Sequence, residues 1–273
     1  INEVMLENKY NYDIIVVDDC STDQTVKVAS EAGASVYSLP LRYGLAQVFK
    51  TEMEKCLEHK ADIIVHIDAD GQYLASDIPK LVDAVKSGND LVLGSRFMGV
   101  IEDMPFLKTL GNKAFSFVIS EISGQTISDS QTGFRAFNRK VAENVAITST
   151  FTYTQEQIIR AVKNKYKIIE VPVYFAKRYG EGKSRLMKNP LDFALKAGIN
   201  LLRIYRDYEP LKFFGVAGSF MLAIGMIIGF YLLVLHFTSG ISGHVPLIMF
   251  CVLILTIGLQ VVMFGFLADM RRE

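Results

Sequence analysis

Net charge is the first thing this sequence lacks: 29 Lys and Arg balance 29 Asp and Glu. No strongly basic surface follows, so nucleic acid is not an expected partner. Cysteine is scarce, three in 273 residues: Cys20, Cys56 and Cys251. They show neither C-x-x-C nor Cys/His spacing, which argues against a zinc site or a disulfide framework and for reduced thiols packed as small hydrophobes. The chain opens on Ile1 rather than Met; the expectation is a truncation at the N-terminus.

Charge also disappears locally. Up to Tyr208 charged and apolar residues alternate as in a soluble domain, and after Glu209 the charges nearly vanish. Leu211–Phe237 carries only Lys212, at its edge, and Val245–Ala268 carries none. About 20 apolar residues cross a hydrocarbon core. Residues 209–237 and 245–268 therefore read as two transmembrane helices, the alternative being two buried core helices. The connecting TSGISGH holds only His244, whereas Arg203, Arg206 and Lys212 precede the first span and Arg271 and Arg272 follow the second. By the positive-inside rule both outer ends face the cytoplasm, and the large domain with them. Gly215, Gly218, Gly225 and Gly229 permit close helix approach, and a homo-oligomer formed through these helices is a further expectation. Upstream, NPLDFALKAGINLLRIYRDY (189–208) has Asn189 to cap and Pro190 to start a helix with one apolar face. It reads as an amphipathic juxtamembrane helix, or else as a surface helix of the soluble domain.

Residues 1–188 form that domain. YDIIVVDD, ASVYSL, ADIIVHI, NDLVLGS and KIIEVPVYF are short apolar runs. Helical patterns lie between them, among them STDQTVKVASEAG, capped by Ser21 or Thr22, GLAQVFKTEMEKCLEHK and SDIPKLVDAVKSG. This alternation predicts an α/β domain whose mainly parallel sheet has helices on both faces. Ligands of such sheets bind beyond the carboxyl ends of the strands. Two acid pairs stand there, Asp18/Asp19 after IIVV and Asp68/Asp70 after IIVHI. A D-x-D of hard oxygen donors suits Mg²⁺ or Mn²⁺, which also bind substrate phosphates. Such an ion neutralises a nucleotide diphosphate as it leaves. The plainer alternative is an acid-rich loop of helix-capping aspartates.

VVDDCSTDQT, HIDADGQYLASDIPKL, LVLGSRF, SDSQTGFRAFNR and RYGEGKSRL occur in that order. Together they resemble the family 2 glycosyltransferases of GT-A fold, and within them the polyprenyl-phosphate branch that includes the dolichyl-phosphate mannose synthases. The resemblance covers roughly residues 11–208 and implies roles by position. Asp18 and Asp19 match acids near the base and ribose of a nucleotide-sugar donor. Asp68 and Asp70 match the metal-associated D-x-D, and Gln72 the glutamine that joins it, for Mg²⁺ or Mn²⁺. Asp129 matches an acid near the transferred sugar, and Arg96 lies on the path to sugar and phosphates. Arg135, Arg178, Ser184 and Arg185 match groups facing the acceptor phosphate, and an Arg fork suits phosphate oxygens.

Some positions depart from the family pattern. Cys20 stands where many relatives have glycine, Arg42 and Ala46 interrupt an N-x-G-x-G stretch, and the family's opening strand with its P-x-Y-N-E turn is not found. The implied reaction is metal-dependent, inverting transfer of a sugar to a polyprenyl (dolichyl or undecaprenyl) phosphate at the cytoplasmic face of a bilayer. A processive polysaccharide synthase would carry Q-x-x-R-W, and this sequence has no Trp. A non-catalytic, membrane-tethered sugar-nucleotide binder is the remaining alternative. Within FLKTLGNKAFSF, the L-G-N pattern looks more like glucose- or N-acetylhexosamine-type members than like mannose synthases.

Overall fold

The computed structural model describes residues 1–148, 153–177, 198–199 and 202–270. The chain divides into two compact units, Ile1–Pro190 and Leu191–Glu273.

In the first unit, α1 (Asn2–Glu7) precedes β1 (Ile15–Asp18), α2 (Thr25–Glu31), β2 (Ser35–Ser38), α3 (Leu45–Glu58) and β3 (Ile63–His66). A short 3₁₀ turn at Ala75–Asp77 leads into α4 (Ile78–Lys86). Then come β4 (Leu91–Ile101), α5 (Phe106–Ser123), β5 (Arg135–Asn138), α6 (Arg139–Asn144), α7 (Thr154–Lys163) and β6 (Ile168–Phe175). The expected alternation of strands and helices is present, with two local differences. The start of α2 is capped by neither Ser21 nor Thr22: Asp23 accepts from the Thr25 amide at 2.9 Å, while Ser21 is held back by donating its own amide to Asp18. Strand β4 runs six residues past the expected NDLVLGS.

The strand pairing is mixed rather than mainly parallel. The larger sheet has the order β3-β5-β4-β6. β5 is antiparallel to both neighbours, and β4 and β6 are parallel. Sequence rhythm did not reveal β5, because its four residues begin with Arg135 and offer only one large apolar side chain, Phe137. Leu91 to Arg96 are all buried, as befits a central strand covered on both faces; beyond them burial alternates as the strand leaves the core. The β4–β6 register shifts between Ser95 and Val100. There Gly99 lies so close to β6 that a Cβ would stand 1.9 Å from the Val173 carbonyl oxygen. Ile78, Leu81, Val82 and Val85 of α4 pack on Val92, Phe134 and Val173. Each such burial contributes about 1.5–3 kcal/mol.

β1 and β2 form a separate parallel pair, Ile15 opposite Ser35 through Asp18 opposite Ser38. Among the described residues no ladder joins β1 to β3. A cavity of about 70 Å³ is lined by Ile15 of β1, by Ile64, Val65 and His66 of β3, and by Glu52 and Cys56 of α3.

In the second unit, residues 202–208 are helical, and the rest of the expected amphipathic helix, apart from residues 198–199, lies outside the described residues. α8 (Pro210–Thr238) and α9 (Val245–Met270) are each long and apolar enough to cross a membrane. Small residues let them pack closely. A Cβ on Gly218 would lie 2.8 Å from the Gly258 carbonyl oxygen, and one on Gly225 would lie 2.6 Å from Leu255. The Cys251 thiol donates to the Gly225 carbonyl at 3.3 Å. These two glycines of α8 thus serve contacts within the hairpin.

Candidate active site

The end of β3 is the centre of the site. After His66 the chain turns through Asp68, Asp70 and Gly71, whose φ of +74° suits glycine. Asp70 accepts from the Gln72 amide at 3.1 Å, which closes the turn. Gln72 is buried and tied to the end of β6: its side-chain nitrogen donates to the Ala176 carbonyl at 3.2 Å, and the Ala176 amide donates back to the Gln72 carbonyl at 2.7 Å. The amide oxygen is then the donor atom that its side chain can offer to a cation. The Asp68 carboxylate lies against Gly133, where a Cβ would stand 2.4 Å from Oδ2. No larger residue fits there without moving this carboxylate.

Behind Asp68 lies His66. Its Nδ1 is 2.8 Å from a Glu52 carboxylate oxygen on α3. Its Nε2 is 3.8 Å from Asp68 Oδ1, buried and without a hydrogen-bond partner. Burial pushes the imidazole pKa down, but Glu52 and then Asp68 outweigh this and raise it to about 9. His66 thus lies buried between two carboxylates. Burial pushes the Asp68 carboxyl up; His66, then Arg96 and Arg135, outweigh that and leave it below its ordinary value.

Asp129 and Arg96 form a second, fully buried group. Asp129 Oδ2 accepts from Arg96 Nε at 2.7 Å and from its backbone amide at 3.1 Å, and Oδ1 accepts from Nη2 at 2.8 Å. Burial pulls the guanidinium pKa down, but the Asp129 hydrogen bond and charge drive it further up, so the guanidinium stays charged. Glu170 on β6 fixes the loop: it accepts from the Ser128 amide (2.8 Å), the Ser128 hydroxyl (2.9 Å) and the Asp129 amide (2.9 Å). The acid inside the apolar run KIIEVPVYF was the available signal for this residue.

Arg135 departs from its expected role. It is fully buried. Nε donates to the Thr132 carbonyl (2.8 Å), Nη1 to the Thr154 carbonyl (2.7 Å) and Gln157 (3.0 Å), and Nη2 to the Ser130 carbonyl (2.9 Å). Burial lowers its pKa. A guanidinium so committed braces the loop between Asp129 and β5 and does not face an acceptor phosphate. The motif had placed it correctly in sequence; its inward direction is set by β5 and α7, which local pattern does not disclose.

Asp18 and Asp19 stand at the end of β1, apart from the β3 ladder. Asp18 accepts from the Ser21 amide. Asp19 accepts from the amides of Tyr43 at 2.8 Å and Gly44 at 3.0 Å, which anchors the start of α3. Between them and α2, Cys20 has φ +58°. That left-handed conformation costs a non-glycine residue about 1–2 kcal/mol. Arg178, Ser184 and Arg185 lie outside the described residues.

Among the described residues no three His, Cys, Asp or Glu side chains converge into a ready-made metal cage. Two strand-end carboxylates and a glutamine oxygen are what Mg²⁺ or Mn²⁺ use when water and substrate phosphates complete the shell. His66 Nε2, buried 3.8 Å from Asp68 Oδ1, leaves that carboxylate's oxygens without a hydrogen bond from the ring and open to a cation. The donor set therefore fits such an ion.

The family model "Glycosyl transferase family 2" matches residues 1–146. The glycosyltransferase AglJ of Haloferax volcanii is 30% identical over 94% of this chain and 84% of its own length. The dolichyl-phosphate hexose transferase of the same organism is 33% identical over 62% of this chain and 72% of its own. Among solved structures, mannosyl-3-phosphoglycerate synthase from Rubrobacter xylanophilus is similar with a TM-score of 0.54 at 18% identity, over 74% of this chain and 68% of that one.

Proposed function

Since this chain belongs to glycosyl transferase family 2 and is a glycosyltransferase of GT-A fold, we propose that it moves a sugar from a nucleotide diphosphate sugar to a polyprenyl phosphate. One observation carries the reading: a D-x-D at the end of β3 shares a chain with two helices long enough to cross the bilayer that would hold the lipid acceptor. The name of the Haloferax volcanii hexose transferase supports the acceptor class.

The buried groups suit an acceptor of this kind. A phosphate is an anion at neutral pH and needs no strong base to attack, unlike a hydroxyl. Asp129 meets no such need: both its oxygens are bound to Arg96, so it positions a cation instead of taking a proton. Arg96 uses Nε and Nη2 on Asp129, leaving Nη1 as the nitrogen to meet a donor phosphate oxygen. Asp68 and Asp70, with the Gln72 oxygen, would hold Mg²⁺ or Mn²⁺, which when bound offsets the charge of the departing diphosphate. Asp18 and Asp19 would face the nucleoside. Arg178, Ser184 and Arg185 would meet the acceptor phosphate.

The test is a donor panel of GDP-mannose, UDP-glucose and UDP-N-acetylglucosamine with a polyprenyl phosphate and Mn²⁺ or Mg²⁺. One of them should yield an acid-labile lipid-linked sugar. Transfer to a water-soluble acceptor in preference to the lipid would overturn the acceptor assignment.

The charge distribution around α8 and α9 supports a hairpin whose connecting loop faces outward. Ser242→Cys should then react with an impermeant thiol reagent added to intact cells, whereas a cysteine placed at exposed Lys27 should react only after permeabilisation. The reverse pattern would invert the topology.

A further inference from the structure

We propose that His66 is a positioning residue for Asp68: Glu52 fixes the ring, and the ring's Nε2–H holds the carboxylate in the orientation in which it receives a divalent cation. The inference rests on the metal role given to Asp68 above.

The ring has little freedom. Glu52 Oε2 is 2.8 Å from Nδ1. Phe49 and Tyr153 meet the imidazole edge-on, with centroids at 5.5 and 5.2 Å, and they stack on each other at 3.8 Å. The histidine side chain is 7% exposed. With Nδ1–H donating to Glu52, the other nitrogen can point one way, and the anion it faces is Asp68. That Nε2 is nonetheless without a hydrogen bond, at 3.8 Å from Oδ1. A buried polar atom left without a partner is uncommon in folded proteins and costs free energy. A shift of under about 1 Å in the carboxylate brings the contact within hydrogen-bonding range. On its other side Asp68 meets Gly133, with room for no Cβ. The carboxylate is thus bracketed by the histidine at Oδ1 and by bare backbone at Oδ2. Hydrogen-bonded partners of this kind behind a metal ligand fix its direction, and their loss typically weakens metal binding ten- to a hundredfold.

The rival account is an ion pair between His66 and Glu52 that merely fastens α3 to β3. Two substitutions separate them. In His66→Gln the side-chain amide reaches about as far as Nε2, toward Asp68. In His66→Asn it reaches about as far as Nδ1, toward Glu52. Mn²⁺ binding to the full chain in detergent, followed by loss of the free-ion electron paramagnetic resonance signal, reads the difference without turnover. His66→Asn is expected to weaken Mn²⁺ binding about tenfold or more, and His66→Gln clearly less. Equal binding by both variants and wild type, or tighter binding by His66→Asn than by His66→Gln, overturns the proposal in favour of the structural pair. Should His66→Asn fail to fold, Glu52→Gln serves: it keeps an acceptor at Nδ1 but loosens the ring, so Mn²⁺ binding should weaken, and wild-type affinity in that variant overturns the proposal. Wild-type protein and Asp70→Asn binding Mn²⁺ equally poorly would show instead that the metal reading itself is wrong, and the inference would fall with it.

Discussion

Asp70→Asn is expected to lower turnover on the order of a hundredfold or more while leaving the protein folded. The two effects separate because of where the residue sits. Asp70 lies half-buried in the turn after β3, and one local bond it makes, from the Gln72 amide, can be accepted equally by an asparagine oxygen. Substitutions of this kind usually change stability by no more than about 0.5 kcal/mol. The negative charge has no substitute: without it the site offers a cation one carboxylate, Asp68, beside the Gln72 oxygen. Loss of an electrostatic element aimed at developing charge typically costs about 10²–10³ in rate. Transfer rates measured across a Mn²⁺ titration, beside a thermal melt of the same preparation, check both halves. Near-wild-type turnover at limiting Mn²⁺ would remove Asp70 from the metal site.

Asp129→Ala should do the opposite and damage the fold along with the activity. It strands the Arg96 guanidinium, 5% exposed, without its anion. Breaking a buried pair from one side costs about 3–5 kcal/mol. In a unit of this size that corresponds to a fall in melting temperature of roughly 10 °C. The double substitution Arg96→Met with Asp129→Leu removes both charges and should recover most of the stability, since apolar replacements of buried pairs are often neutral. It should stay inactive, because the cation proposed to meet the donor phosphate is gone. Differential scanning fluorimetry and a transfer assay on the three variants give the answer. A melting temperature unchanged in Asp129→Ala would mean that Arg96 swings out to solvent and that the pair is no fixed element.

What could be read in advance follows the range of the forces involved. Apolar runs and their periods are local, so β1 to β4, β6, α3, α4 and both long apolar helices were legible, as was the acid pair that ends β3. Pairing order is not local. β5 slips antiparallel between β3 and β4 because of contacts to Leu91–Leu93 and Ile63–His66, and its own four residues carry too little pattern to announce it. Polar partners are equally distant in sequence. Arg135 reads as an acceptor-phosphate-facing group from its motif, yet its bonds run to residues 130, 132, 154 and 157. Glu52 and His66 stand in different apolar patterns, and only folding brings them to 2.8 Å. The Asp129–Arg96 pairing was likewise invisible, although both residues had been singled out.

The gap between the two strand ladders has a consequence for how the first unit comes apart. Hydrogen-bonded ladders transmit cooperativity from strand to strand, and among the described residues none does so between β1 and β3. The β1–β2 pair, which carries Asp18 and Asp19, is held to the β3 edge through α3 and side-chain packing around a void. It can open at lower free energy than the four-stranded sheet that carries Asp68, Asp129 and Arg96. Sub-global opening of that piece uncovers the backbone edges of β1 and β3, which no ladder joins among the described residues, and each is a template for a strand from another molecule. Heat or harsh detergent would therefore set off self-association before the D-x-D and the Arg96–Asp129 pair lose their shape.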